Sequence, residues 1–321
     1  MALELLDQNV RDRAGDLNRE FSTAQPFRYV VIDQFLNPDF CRQLISEFPV
    51  FEPTRALNER GEVGRKAVFV DVPNLGPSYQ RFDDLIRGRE LLDWIGKVTG
   101  IPNLLYDPEY VGGGTHENLH GQDLDSHVDF NYHPERNWHR RLNLIVFLNP
   151  EWHPEWGGCL ELLTDPWTQE GARPVASVVP IANRAVIFET NEHSWHGFRR
   201  IDLPEDKQNL SRKSLAVYYY TEERPTEEVE ASHGTIYVQR QLSEHIQPGY
   251  TLRQEDVDEI QMLLYRRDVH AKFLYERELE FSRVMTNLMN SRAFKLGQKI
   301  ARPLRALRTL AGRNPDRNAA H

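Results

Sequence analysis

Between residues 104 and 221 the chain breaks into short apolar runs separated by turn residues, with no helical periodicity between them. Residues 142–148, 159–163, 177–179, 185–188 and 215–220 read as strands. A Rossmann sheet needs helices alternating with its strands. Many short strands in direct succession instead point to a sandwich or jelly roll. The expected fold class is therefore mainly β with flanking helices (α+β): a jelly-roll core with a C-terminal helical extension. The polar stretch 109–122 resembles a lid over the mouth of such a barrel.

The flanks differ in pattern. Residues 1–25 are polar with a helical tendency, and 27–35 form an aromatic and β-branched strand. Asn37-Pro38-Asp39 reads as a helix start, followed by Leu44, Ile45 and Phe48 as its apolar stripe. Residues 51–66 read as a loop. A helix is expected over 82–98, closed by Thr99-Gly100-Ile101-Pro102. Beyond an acidic stretch at 222–230, His233 to Val238 suggest one short strand, and 252–290 are charged but periodic enough for long helices. The chain then divides into a strand and helix lead-in (1–104), a core (105–222) and a helical extension with a basic tail (223–321).

Two residues in the core stretch carry a chemical suggestion. Side chains two apart on a strand share a face, so His127 and Asp129 can present an imidazole nitrogen and a carboxylate oxygen to one point. A second histidine from another strand would complete the two-histidine, one-carboxylate facial triad of a non-haem Fe(II) oxygenase, which leaves coordination positions open. The pair alone is weak evidence, since short motifs recur by chance.

Ordered segments around it strengthen the case. These are Tyr110 with Gly112-Gly113-Gly114, His127-Val128-Asp129, Arg141 through Asn149, Gly157-Gly158-Cys159-Leu160-Glu161-Leu162, Asn183 through Phe188, Ser194-Trp195-His196-Gly197 and Arg212 through Tyr218. Over roughly 105–222 the chain resembles the Fe(II)- and 2-oxoglutarate-dependent dioxygenases, in their prolyl-4-hydroxylase-like branch. The resemblance implies a double-stranded β-helix and an iron site formed by His127, Asp129 and His196, these three also being the catalytic set. His196 fits the family's S-x-H-G pattern, whereas His193 reads as a loop residue. It further implies that Arg212 grips the far carboxylate of 2-oxoglutarate through its planar fork, with Tyr110, Asn143 and Ser214 as further cosubstrate contacts. Phe147 departs from the family's common tyrosine, and Asn143 or Ser214 would compensate. Gly157 and Gly158 read as turn residues, and Trp138, Trp152 and Trp195 as either groove lining or plain core. Fe(II), 2-oxoglutarate and O2 are the implied cofactor and cosubstrates, with ascorbate as an auxiliary reductant. The implied reaction is substrate hydroxylation with release of succinate and CO2.

Composition restricts the alternatives. At 321 residues the chain can bury a sizeable core, and its formal charge of −9 argues against nucleic-acid binding through bulk charge. Two cysteines, Cys41 and Cys159, support no disulfide framework and suit a reducing cytoplasm. No signal peptide or membrane-spanning run is readable, so a cytoplasmic protein is expected. The basic end, from Arg292 to Arg317, resembles the tails of bacterial glycosyltransferases and related enzymes of surface-polysaccharide assembly. Such a segment either lies on an anionic membrane, docks on partner proteins, or is simply solvated. The substrate stays open between peptidyl, small-molecule and glycan classes. The rivals from other classes are a metal-binding jelly-roll scaffold or sensor without activity, and a cupin-type isomerase.

Overall fold

The computed structural model describes residues 2–55, 66–243 and 245–296. Most of the loop expected at 51–66, and the tail beyond residue 296, lie outside the described residues. The chain divides into two compact units, residues 1–240 and 241–321.

In the first unit, helices α1 (Gln8–Asp12) and α2 (Ala14–Thr23) precede strand β1 (Tyr29–Ile32). Helix α3 (Pro38–Ser46) starts where the sequence indicates: Asn37 caps it by accepting from the amides of Asp39 and Phe40. After β2 (Lys66–Phe69), the single helix expected over 82–98 is two, α4 (Pro77–Ile86) and α5 (Arg89–Thr99). Gly88, in an extended conformation, separates them as the N-cap of α5. The apolar spacing carries across the break because both helices bury the same side. Nine strands follow: β3 (Leu105–Tyr106), β4 (Gly114–Asn118), β5 (Leu124–Val128), β6 (His139–Phe147), β7 (Leu160–Leu163), β8 (Ala176–Val178), β9 (Ala185–Glu189), β10 (Trp195–Phe198) and β11 (Arg212–Thr221). A tenth, β12 (Ile236–Val238), closes the unit.

These strands form two antiparallel sheets. The larger has the order β1-β9-β6-β11-β4-β2, with β3 also paired to β11, and the smaller runs β12-β5-β10-β7-β8. This is the double-stranded β-helix that the resemblance implies, the form taken by the jelly roll expected from the short-strand pattern. Alternation divides the larger sheet cleanly. Leu142, Leu144, Val146, Ala185, Ile187, Leu215, Val217 and Tyr219 face α2, α4 and α5 in one apolar core. The opposite face turns Phe147, Val186 and Phe188 toward Leu160, Leu162 and Val178 of the smaller sheet.

The 109–122 stretch is not a lid. Its centre is β4, paired on both sides with β11 and β2, and Thr115, Glu117 and Asn118 are buried. Its polarity misleads because the fold buries polar side chains here: Glu117 accepts from Ser211, and Asn118 donates to Gln122. The three tryptophans also resolve. Trp152 packs with Trp156, Phe198 and Ile201, and Trp195 with Val128, Leu163 and Val238. Trp138 stacks near His133 and Tyr220.

In the second unit one helix, α6 (Gln254–Asn290), spans most of the stretch in which long helices were expected. Asp256 closes its first turn by accepting from the Arg253 amide. No described helix is long and apolar enough to cross a membrane.

Candidate metal and cosubstrate site

His127 on β5 and His196 on β10 are direct cross-strand partners, and their ring centroids lie 4.2 Å apart. Asp129 follows immediately after β5, on the same side as His127. Its Oδ1 lies 3.8 Å from His127 Nε2 and its Oδ2 3.6 Å from His196 Nε2. One donor atom from each of the three falls within 4.8 Å of the others, a separation that one ion can bridge. His193, the alternative from sequence, is exposed.

The hydrogen bonding of the two imidazoles decides what they can do. His127 Nδ1 lies 2.9 Å from the Asp125 carbonyl and His196 Nδ1 2.9 Å from the Ser194 carbonyl. A carbonyl can only accept, so each Nδ1 carries the proton and donates it. Each Nε2 is then the unprotonated nitrogen, the tautomer that ligating histidines adopt. Burial also holds the His196 pKa below its ordinary value, against the opposing pull of Asp129. Metal binding needs that neutral form.

Gly197 makes the histidine pairing possible. The register between β10 and β5 slips after His196, and a Cβ on Gly197 would lie 2.6 Å from the Leu124 carbonyl oxygen. The strands can approach this closely only where there is no side chain.

Asp129 is held by two residues of β6. Asn143 donates to Oδ2 at 2.8 Å, and Arg140 Nη2 lies 3.0 Å from the same oxygen. Burial alone would raise the Asp129 carboxyl, but Arg140, the two histidines and Asn143 outweigh it and keep the pKa well below the carboxylate range. With both donors on Oδ2, Oδ1 is the oxygen left to coordinate. Asn143 is thus a partner of Asp129, since its own Oδ1 accepts from Arg140.

Arg140 is absent from the set read off the sequence, and its placement explains why. Residues 140 and 143 would face opposite ways on a regular strand. The β6–β11 register jumps from Tyr219 opposite Leu142 to Tyr220 opposite Arg140. Arg141 is the extra residue, and this bulge re-aims Arg140 to the inner face. There its guanidinium is fully buried, with its carbon 3.5 Å from the Tyr218 ring centroid and 4.5 Å from that of Phe130. Tyr237 on β12, opposite His127 with its ring 5.1 Å from the imidazole, is also outside that set.

Arg212 lies on the same inner face, at the start of β11. Its guanidinium sits over the rings of Phe198, 4.3 Å away, and Phe147, 5.1 Å away. Phe198 is two residues beyond His196 on β10, so roughly 7 Å of strand separates the two positions. Arg212 Nε donates to the Gly158 carbonyl at 2.6 Å. Gly158 itself has φ +67°, and a Cβ there would press on Trp152 and Arg212. No acidic side chain pairs with Arg212 among the described residues, and burial draws its pKa down to about 10. A fully buried, uncompensated fork of donors is what an anionic ligand would satisfy. Ser214 shares this face two residues along, opposite Phe147 and His116.

Tyr110 is not brought to this group. Its ring belongs to the core between the larger sheet and the helices, and its hydroxyl donates to Asp83 at 2.9 Å. Its φ of 48° turns the chain into the glycine run and directs the side chain away from the inner face.

A second cluster, Asp107, Glu109 and His133, has metal-binding residue types at similar spacing. Its hydrogen bonds differ. His133 Nδ1 accepts from the amides of Glu135 and Arg136, so Nε2 carries the proton and faces Asp107 at 3.3 Å. Asp107 accepts from the amides of Glu109 and Val111, and Glu109 is engaged by Arg136. With Nδ1 engaged and Nε2 protonated, His133 offers a metal no nitrogen lone pair.

Residues 114–227 match the family model described as the 2OG-Fe(II) oxygenase superfamily. No curated protein matches the chain significantly. Similar solved structures include a prolyl hydroxylase from Trichoplax adhaerens, in complex with a hypoxia-inducible-factor peptide. It is 15% identical with a TM-score of 0.46, over 67% of this chain and 92% of that one. A prolyl 4-hydroxylase from Phytophthora capsici is 20% identical with a TM-score of 0.42, covering 95% of each chain. HygX from Streptomyces hygroscopicus, with nickel, 2-oxoglutarate and hygromycin B bound, is 17% identical with a TM-score of 0.41, over 66% and 92%.

Proposed function

From its membership, through residues 114–227, of the 2OG-Fe(II) oxygenase superfamily, we propose that this chain hydroxylates a still unidentified substrate with release of succinate and CO2. Fe(II) and 2-oxoglutarate are the metal and cosubstrate of that superfamily. In this reading His127, Asp129 and His196 are the metal ligands. Arg212 receives the far carboxylate of 2-oxoglutarate, and Asn143 with Arg140 fixes Asp129. When bound, the metal and cosubstrate supply the oxidative chemistry, and the protein supplies position and exclusion of water. Phe147 and Phe198 form the apolar walls around the Arg212 fork, so Phe147 acts as a plate where relatives often carry a tyrosine. Ser214 is the polar neighbour available to the cosubstrate.

The observation that carries the proposal is the pairing of two unlike features on one inner face. One is a metal-ready triad with both Nε2 atoms free of protons. The other is a buried arginine without a counter-charge, two strand residues away from it. A scaffold or sensor would need the first but not the second. Peptidyl, small-molecule and glycan substrates, the last including surface-polysaccharide precursors, are the classes to test.

Anaerobic titration of the Fe(II)-loaded protein with 2-oxoglutarate, followed by visible absorbance, tests the proposal. A metal-to-ligand charge-transfer band is expected in wild type. It should vanish in Asp129→Ala and need far more 2-oxoglutarate in Arg212→Ala. Iron bound without any band would defeat the oxygenase reading and favour a non-catalytic metal-binding protein.

A further inference from the structure

Helix α6 exposes more apolar surface than a solitary soluble helix tolerates. Leu264 is 55% exposed, Leu274 55% and Phe281 62%. Contiguous apolar surface of this kind marks an interaction face. These residues recur with Arg267, Ala271 and Glu278 at alternating steps of three and four: 264, 267, 271, 274, 278, 281. That is the heptad spacing of a coiled-coil seam, about 25 Å long at 1.5 Å per residue.

The two charges in the seam identify the occupant. Laid antiparallel on a second copy about a centre between residues 272 and 273, the seam pairs Arg267 with the other chain's Glu278. The same operation sets Leu264 against Phe281 and Ala271 against Leu274. Each pairing occurs twice by symmetry, giving six layers in which every apolar residue meets an apolar one and both cations meet anions. A parallel pairing would instead set Arg267 against Arg267 and Glu278 against Glu278. The neighbouring stripe, Leu263, Arg267, His270, Leu274, Arg277 and Phe281, offers only cationic polar groups and has no such complement. We propose that α6 is the interface through which two copies of this chain associate, as an antiparallel coiled coil in register about residues 272 and 273. Charged residues at seam positions cost stability but fix partner and register.

Light scattering on the full chain should give twice the monomer mass of 37.5 kDa. Arg267→Glu should shift the protein to monomer, raising its dimer dissociation constant at least tenfold, by bringing like charges together twice. Adding Glu278→Arg to that variant should restore the dimer. Phe281→Asp should also give a monomer, with helix content retained by circular dichroism. Cross-linking reports orientation. An equimolar mixture of Leu264→Cys and Phe281→Cys proteins should form disulfide dimers on oxidation, and Leu264→Cys alone should not. A monomeric wild type, a dimer indifferent to charge reversal, or Leu264→Cys cross-linking to itself would each overturn the proposal. A wild type that stays monomeric and binds anionic vesicles would overturn it in favour of a lipid surface.

Discussion

Replacing Arg212 by methionine should move stability and ligand binding in opposite directions. In the ligand-free protein Arg212 is a buried cation without an ion-pair partner among the described residues. Its pKa falls from 12.5 to about 10, which corresponds to roughly 3 kcal/mol of charge burial opposing the fold. Methionine removes that cost and can lie between Phe147 and Phe198. It also strips the Gly158 carbonyl of the Arg212 Nε donor, a loss of about 1–3 kcal/mol. The ligand-free variant should therefore be as stable as wild type, or more stable by up to about 2 kcal/mol, equivalent to a melting-temperature rise of up to about 8 °C in a unit of this size. Binding of 2-oxoglutarate should behave oppositely. Losing one partner of a buried, hydrogen-bonded charge pair costs about 2–5 kcal/mol, so affinity should fall by roughly 30-fold to several thousand-fold. Thermal denaturation with and without 2-oxoglutarate, in Mn(II)-loaded protein to avoid turnover, reads both quantities. Wild type should gain about 2.7 kcal/mol at a hundredfold excess over its dissociation constant, and the variant, at the same concentration, less than about 1 kcal/mol. If Arg212→Met were destabilised by several kcal/mol yet bound 2-oxoglutarate like wild type, Arg212 would be a structural residue.

Three further outcomes follow from the site. Gly197→Ala should leave circular dichroism largely native but sharply reduce metal content by elemental analysis, because its Cβ would meet the Leu124 carbonyl at 2.6 Å and push the histidine strands apart. Metal stoichiometry should be one ion per chain. It should survive His133→Gln and be lost in His196→Ala, with calorimetric titration separating the two clusters; a second ion lost with His133 would contradict the hydrogen-bond assignment. The pH dependence follows from His196, whose folded pKa lies below the ordinary value of 6.5. Below pH 6.5 the unfolded chain takes up a proton that the fold does not, so this residue's contribution to stability declines as pH falls toward the folded value. Denaturant midpoints of metal-free wild type should drop across that window more steeply than those of His196→Gln.

Strands β6, β7, β8, β9 and β11 were legible because their apolar runs are interrupted only by turns. His127, Asp129 and His196 were legible because two of them sit at strand spacing and the third lies beside a glycine whose missing side chain lets the ladder close. β4 was hidden by buried polar side chains, two of which, Glu117 and Asn118, find their partners in Ser211 and Gln122, and composition alone reads such a stretch as a loop. Tyr110 was misleading for a related reason: it sits at the right sequence position before the glycine run, but a positive φ turns it into the helical side. Arg140 was unreadable in principle from alternation. One inserted residue, Arg141, reverses the face to which it belongs, and nothing local in the sequence announces a bulge.

The two buried arginines of the inner face divide the electrostatics between them. Arg140 is neutralised by Asp129 and braced by Asn143, Tyr218 and Phe130, so its charge is already spent within the protein. It keeps the carboxylate ionised despite burial and occupies the oxygen that would otherwise compete for bidentate coordination. Arg212 has no such partner among the described residues, and it is flanked by two phenylalanine rings and one carbonyl. Exchanging these environments would defeat both roles: an unbraced Arg140 would leave Asp129 free to take up a proton, and a neutralised Arg212 would repel no solvent cost and attract no anion. On the proposed reading this asymmetry orients the ligand, with its anionic end at the uncompensated fork and its other end toward the histidines. A dianionic molecule that spans about two strand residues satisfies that arrangement, whereas a monoanion of the same length leaves one end without a partner. Glutarate, which keeps both carboxylates but lacks the keto oxygen, should therefore compete at the Arg212 end while binding the metal more weakly than 2-oxoglutarate. Competition by glutarate that is lost in Arg212→Met but kept in Asp129→Asn would assign each end of the ligand to its own half of the site.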